Sequence, residues 1–301
     1  MNAAIHTWWR ASRAYSVTAV LAPCIAIGLL GRNAGTPLHL VSALCAALGV
    51  SLLLFGVNMA NDIGDDARGI DTPGGPGGSG VLQAGLLSVA QLRSAATALI
   101  GLGLLLGLPS VLAAPRQMLP LGVVTLLGAA LYSHPALGLK YHALGDAAVF
   151  VLCGPLLAYG ASVAGFARTL PGAVALGAVF GFAAVAILHV NNLQDIAVDR
   201  RHGAITIANV IGERASRWYL AALYLAAAAA WVSLQLGPVP TLIGALGFIP
   251  AAQLVYRTFA AHDFAEPQFA ILRVQAAQAH LVIGASTCVA LFAHLHLGVG
   301  S

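Results

Sequence analysis

Within Asn58-Met-Ala-Asn-Asp62-Ile-Gly-Asp65-Asp66-Ala-Arg68-Gly-Ile-Asp71, three residues have the spacing of ligands. Asn58, Asp62 and Asp66 recur at every fourth position, so a helix lines them along one face, about a turn apart. The stretch carries four of the ten acidic residues of a chain that is only 8% charged. A row of hard oxygen donors suits Mg²⁺, which takes one or two carboxylates and leaves positions for water and phosphate oxygens. The pattern returns at Asn191-Asn-Leu-Gln-Asp195-Ile-Ala-Val-Asp199, where Arg200 and Arg201 follow. Two matched acidic helix ends point to two metal ions clamping a polyphosphate. Polar loops between membrane helices would explain the polarity but not a repeated three-point spacing.

The elements that position these residues are apolar. Hydrophobic residues make up 59% of the chain and its mean hydropathy is +0.87, far from a soluble composition. No long polar stretch separates one part from another, so residues 1–301 read as a single membrane domain. Nine spans can be drawn, roughly 15–31, 37–57, 90–113, 118–132, 146–165, 171–190, 216–236, 238–256 and 275–297. The expected fold is an all-α polytopic bundle of about nine transmembrane helices, because backbone groups in lipid must be satisfied within the span. Trp8, Trp9, Arg10 and Arg13 read as a retained interfacial anchor, with no small-residue cleavage site after them. The cysteines Cys24, Cys45, Cys153 and Cys288 are dispersed singly and read as small hydrophobes. The scattered His39, His280, His294 and His296 read as structural.

On the nine-span layout, eleven of the fourteen Lys and Arg residues fall on the side of the N-terminus and the even connections. That bias makes this side cytoplasmic, in a bacterial inner membrane. All ten acids share it, although acids do not set topology. Chemistry at one face explains the clustering. The Gly-rich stretch 72–80 reads as a lid or a turn and lacks the Gly-Lys-Ser/Thr ending of a P-loop. Lys140, the single lysine, lies on the same face and is a candidate phosphate contact. The connection 256–267 reads as a cover for the site.

Two acid clusters with bound Mg²⁺ would hold a diphosphate and neutralise its charge as it leaves. Inside apolar helices, the matching substrate is an isoprenyl diphosphate, its head among the acids and its tail in an oily groove. Ionisation of its allylic C–O bond gives a cation that an electron-rich aromatic ring can capture once water is excluded. No strong general base stands out in the sequence. The expected partners are therefore a prenyl diphosphate, an aromatic small molecule and the lipid bilayer, with no nucleic acid.

These residues resemble the UbiA superfamily of intramembrane prenyltransferases. The likeness covers both motifs, the nine-span layout and nearly the whole length. Within the superfamily the chain looks most like the menaquinone-branch 1,4-dihydroxy-2-naphthoate prenyltransferases. Asn61-Asp62-Ile-Gly-Asp65 with Gly69-Ile-Asp71, Leu139-Lys140-Tyr141 with Leu144-Gly145-Asp146, and Asn191-Asn192-Leu193-Gln194-Asp195 carry that resemblance. It implies two Mg²⁺ ions held through Asn58, Asp62, Asp66, Asp195 and Asp199, with the four aspartates catalytic. It also implies diphosphate contacts from Asn58, Arg68, Lys140, Asn191, Arg200 and Arg201. In that branch the prenyl group replaces the ring carboxylate as carbon dioxide. Two departures touch the acceptor: Ser12-Arg13-Ala14-Tyr15 keeps the arginine of the family's Ala-Arg-Pro-Lys without its proline and lysine, and Gly203-Ala204-Ile205-Thr206 has no lysine. Another aromatic acceptor, or acceptor-free cyclisation, stays open. CDP-alcohol phosphotransfer needs an Asp-Gly in register with Ala67-Arg68, and Asn61-Asp62-Ile63 offers none. A cation-coupled transporter, the non-enzyme alternative, would carry its ionisable residues near the bilayer midplane.

Overall fold

The computed structural model describes residues 3–71, 78–134, 137–261, 264 and 271–297. Twelve α-helices occupy them: α1 Ala3–Ser12, α2 Thr18–Asn33, α3 Leu40–Ala67, α4 Val89–Ala113, α5 Pro115–Tyr132, α6 Gly145–Cys153, α7 Pro155–Phe166, α8 Ala173–Arg201, α9 Ile207–Val232, α10 Pro238–Leu246, α11 Ile249–Ala260 and α12 Ile271–Leu297. Short 3-10 turns cover Ala14–Val17 and Leu139–Tyr141. Among the described residues the fold is all-α, as the apolar composition requires.

Six helical segments are long and apolar enough to cross a membrane, and a seventh if α10 and α11, bent by 40°, form one span. The nine expected spans all correspond to helices, but α5 and α9 fall short by this measure. Arg116, Gln117 and two prolines dilute α5; Glu213, Arg214 and Arg217 make the start of α9 polar. Gly212, with φ +77°, breaks α9 one residue before the first of these charges.

The helices that carry the motifs are longer than their apolar runs. α3 has 28 residues and α8 has 29, so each spans roughly 42 Å against a hydrocarbon core of about 30 Å. The motifs occupy the last turns, at the end that leaves the bilayer. α8 is also the spine of the main core, with Leu176, Val179, Phe180, Ala183 and Ala186 fully buried. Small residues let its neighbours approach. A Cβ on Gly154, between α6 and α7, would meet Gly181 Cα at 2.7 Å and Gly177 O at 2.8 Å, a backbone contact that larger residues would prevent. On α3, a Cβ at Gly49 would lie 2.7 Å from Gly103 O of α4.

A second, smaller core gathers Ala11 of α1, Met59 of α3, Val81 and Leu87 of the following loop, and Leu92 and Ala96 of α4. It fixes α1 and the loop against the first motif. Trp8 and Trp9 of α1 remain exposed, 37% and 53%, as suits an interfacial helix. Most of the Gly-rich stretch (72–77), and 262–263 and 265–267 of the expected cover, lie outside the described residues.

Candidate active site

The first motif is built into a cradle of four elements. Asn58 and Asp62 are buried, 8% and 2% exposed. The Asn58 amide donates to Ser12 O at 3.0 Å and to Ser16 Oγ at 3.1 Å, which ties α3 to the end of α1. Between those partners the backbone of Arg13 turns through the left-handed region, φ +49°, an uncommon and costly conformation for a residue other than glycine. The turn places the Arg13 guanidinium on Asp62 Oδ1 as a part-buried ion pair. The Ser79 amide points at the same carboxylate, 3.3 Å from Oδ2 and 3.4 Å from Oδ1. Arg10 of α1 in turn donates to Ser79 O at 2.9 Å. Asp66 accepts from Gln83 Nε2 at 3.0 Å.

Asp65, one residue off the expected ligand row, joins the motif to the rest of the bundle. Lys140 Nζ lies 2.7 Å from its Oδ2 and the Tyr141 hydroxyl donates to its Oδ1 at 2.8 Å. Burial, and then the Asp65 charge and hydrogen bond, push the Tyr141 phenol well above its ordinary range, so it stays a donor. The Arg68 guanidinium sits 3.9 Å over the Tyr141 ring.

The turn bearing Lys140 and Tyr141 also reaches the second motif. Ile205 N donates to Tyr141 O at 2.9 Å and Ala143 N to Ile205 O at 2.6 Å, a short parallel bridge between His142 and Ile205. Ala204 N returns to Asp199 O at 2.9 Å. One short loop therefore touches Asp65 of α3 with its side chains and the link that follows α8 with its backbone. The two motifs, far apart in sequence, meet across it, and the charges of Asp65 and Lys140 reach Asp199.

At the second motif, Asp195 Oδ1 accepts from Arg273 Nη2 of α12 at 2.6 Å, and the same guanidinium contacts Gln194. Asp199 is buried beside Thr206, whose hydroxyl lies 3.4 Å from Oδ2. Thr206 and Asn209 also form the capping box that starts α9. Asn191 is half-buried along the same helix, one turn above Asp195. Arg200 and Arg201 are exposed, and Arg200 donates to Asn209 O at 3.0 Å, anchoring α9. Arg13 and Arg273, the cations paired with Asp62 and Asp195, were not among the candidate ligands. Arg13 was visible as a retained arginine beside Ser12. Nothing local marks Arg273, since only the packing of α12 against α8 brings it there.

The donors fit a hard divalent ion. Asn61 Oδ1 and Asp71 Oδ2 are buried beside the first motif without a hydrogen-bond partner among the described residues. Burial, and then repulsion from Asp65 and Asp62, raise the Asp71 carboxyl to about 6. Crowded, under-satisfied oxygens are what a divalent cation relieves. Among the described residues no three acidic, His or Cys side chains close into a cage, which suits an ion that completes its shell with water and phosphate. An apolar groove begins at Val50 of α3, two turns from Asn58, and runs past Ala46 and Ala43 between Leu121 of α5 and Leu156 and Gly160 of α7.

The chain matches the UbiA prenyltransferase family over residues 20–295. It is 31% identical over 217 residues to the 1,4-dihydroxy-2-naphthoate octaprenyltransferase of Mycobacterium tuberculosis, covering 70% of this chain and 71% of that protein. The enzyme of the same name from Escherichia coli is 30% identical over 219 residues, 71% of each chain. Among solved structures, a UbiA homolog from Aeropyrum pernix superposes with a TM-score of 0.69 at 21% identity, over 90% of this chain and 97% of that one. A UbiA homolog from Archaeoglobus fulgidus bound to DMAPP and Mg²⁺ gives 0.63 at 17% identity, over 96% and 99%.

Proposed function

This chain belongs to the UbiA prenyltransferase family and is an integral membrane enzyme; from that premise we propose that it transfers an isoprenyl group from an allylic diphosphate to an aromatic acceptor, 1,4-dihydroxy-2-naphthoate. The observation that carries this reading is the Lys140–Tyr141 turn, which draws two acidic helix ends to one point above an apolar groove. The naphthoate-prenylating relatives support the acceptor.

In this reading Asn58, Asp62, Asp66, Asp195 and Asp199 hold two Mg²⁺ ions. When bound, the metal neutralises the diphosphate as a leaving group. Lys140, Arg68, Asn191, Arg200 and Arg201 supply contacts to the diphosphate head; Arg13 and Arg273, already at the acids, are added to that set. The groove from Val50 to Ala43 accepts the prenyl tail. Its depth from Asn58 is about 12 to 22 Å at 1.5 Å per residue, so it favours a chain of several isoprene units over a single one. The smaller core, closing α1 and Ser79 over Asp62, keeps water from the allylic cation. The charge bias supports a cytoplasmic position for the motif ends, and residues 1–301 act as one unit in this reading.

The test is mass spectrometry of products from purified protein, Mg²⁺, geranylgeranyl diphosphate and 1,4-dihydroxy-2-naphthoate, beside a reaction without acceptor. A prenylated naphthol lacking the carboxylate is expected. Diphosphate release without a prenylated aromatic product would overturn the acceptor, and a cyclic hydrocarbon without acceptor would assign a cyclase instead.

A further inference from the structure

The apolar groove continues a seam between α2 and α3 that begins at the diphosphate site. On α3, Asn58, Leu54, Val50, Ala46 and Ala43 recur at steps of three or four residues and share one face. Ser16, in the turn before α2, and Val20, Cys24 and Gly28 of α2 follow the same rule. The hydrogen bond from Asn58 to Ser16 Oγ, 3.1 Å, sets the register of the two helices. Eight residues from that bond lie Cys24 and Val50, and twelve residues from it lie Gly28 and Ala46. All four line the groove.

The far end has a floor. Phe166, the last residue of α7, lines the groove there and is 4% exposed. Its ring rests on α2 at Gly31, three residues beyond Gly28, where any Cβ would collide with it. Leu38 lies beside it: a Cβ at Gly165 would be 3.2 Å from Leu38 Cδ1. His39 N donates to Gly165 O at 2.8 Å. The floor is thus held by α2 on one side and by the approach to α3 on the other.

Gly28, in the wall just above that floor, serves no close packing. Gly31, Gly49 and Gly154 each let a ring or a backbone approach, whereas a Cβ at Gly28 would meet nothing within 4 Å among the described residues. Glycine inside a helix is destabilising relative to alanine; here it leaves open space in a cavity. The depths can be compared with a prenyl chain. Gly28 and Ala46 lie about 18 Å from the Ser16–Asn58 contact, and Gly31 and Ala43 about 22 Å, at 1.5 Å per residue. An isoprene unit adds four chain carbons, about 5 Å when extended at ordinary bond lengths. Four units therefore reach from Asn58 to the floor, and the fourth passes Gly28.

We propose that Gly28 and Phe166 set the length of the prenyl donor: the open wall at Gly28 admits a fourth isoprene unit and the Phe166 ring stops a fifth. The occupant is the tail of the enzyme's own substrate, because groove and diphosphate site share one α2–α3 seam. The assignment rests on the isoprenyl transfer read above. It separates this chain from the Mycobacterium tuberculosis and Escherichia coli relatives, which are named for an octaprenyl chain. Eight units need about 40 Å extended, nearly twice the depth to Phe166, so such a tail would have to leave the bundle sideways.

The test measures kcat/KM for allylic diphosphates of two, four, five and eight isoprene units, with Mg²⁺ and 1,4-dihydroxy-2-naphthoate, in wild type, Gly28→Ala, Gly28→Leu and Phe166→Leu. Diphosphate release is followed beside prenylated product, so donor length is read even if the acceptor is another ring. Wild type should favour four units over eight by about tenfold or more. Gly28→Leu fills the open wall and should lower kcat/KM for the four-unit donor about tenfold, leave the two-unit donor within about twofold, and place Gly28→Ala between itself and wild type. Phe166→Leu should raise the five-unit donor relative to the four-unit one about fivefold; if it does not elute as a single species in detergent, the two Gly28 variants carry the test. Equal use of four and eight units by wild type, equal losses on two and four units in Gly28→Leu, or an unchanged four-unit donor in that variant would overturn the assignment. If wild type turns over no donor, the transfer reading itself has failed; if it turns them over without regard to length, only the role of Gly28 and Phe166 has.

Discussion

At the end of α3, the Asp62 side chain is 3% exposed and is met by a guanidinium from the α1 turn and an amide from the following loop. At the end of α8, the Asp195 side chain is 22% exposed and is met by a guanidinium from α12. The same ligand spacing thus sits in two different settings. The first motif is enclosed by α1, the loop at Ser79 to Gln83 and the Lys140 turn, with its own small core behind it. Among the described residues, the second is met by Thr206 and Arg273. A buried charge must be paired where it stands, whereas an exposed one is served by solvent. The first motif is therefore held more firmly by the folded scaffold than the second.

The largest effect should be common to both. Asp62→Asn and Asp195→Asn are each expected to lower Mg²⁺-dependent diphosphate release about a thousandfold, since each would remove a carboxylate from the set proposed to hold the metal. A variant retaining near wild-type turnover would break the pairing of the two motifs. Next, Arg13→Ala strands a buried carboxylate and Arg273→Ala a more exposed one. In metal-free protein, the melting temperature, followed by tryptophan fluorescence, should fall at least twice as far for Arg13→Ala. Added Mg²⁺ should narrow the gap; equal shifts would show that the two settings are energetically alike.

Lys140→Met separates the bridging turn from the acids it joins. The KM for the allylic diphosphate is expected to rise about 10- to 100-fold with a smaller change in kcat, and an unchanged KM would remove Lys140 from the diphosphate contacts. The smallest effect concerns Asp71, whose carboxyl is raised to about 6 in the folded protein from 3.8. Between those values the native state binds more protons than the unfolded chain, so stability falls as pH rises from about 4 to 6 and then levels. Thermal melts of metal-free protein across this window should show the decline, and Asp71→Asn should flatten it. A decline that survives the substitution would place the titration elsewhere.

The ligand rows were legible because helical periodicity converts a four-residue spacing into a shared face, whatever surrounds it. Lys140 was legible as the one lysine, and the all-helical class followed from an apolar chain that must satisfy its own backbone. The span count was less so, since α5 and α9 are helices whose charged or proline-bearing starts blur the boundary between span and loop. Asp65 was in plain view but its partners were not, because they are 75 and 76 residues away. Gly28 reads locally as one more glycine of an apolar span, and Phe166 as one more apolar residue.

Composition and periodicity, which are properties of neighbours along the chain, determined that this protein lives in a membrane, that it is helical, and that it carries two rows of acids at helix ends. Tertiary structure decided which cation answers which acid, which motif is enclosed, and which glycine opens onto a cavity. Those choices depend on glycine contacts between helices, on one left-handed turn at Arg13, and on α12 laying Arg273 beside α8. They are contacts across large sequence separations, set by packing, and no local pattern encodes them.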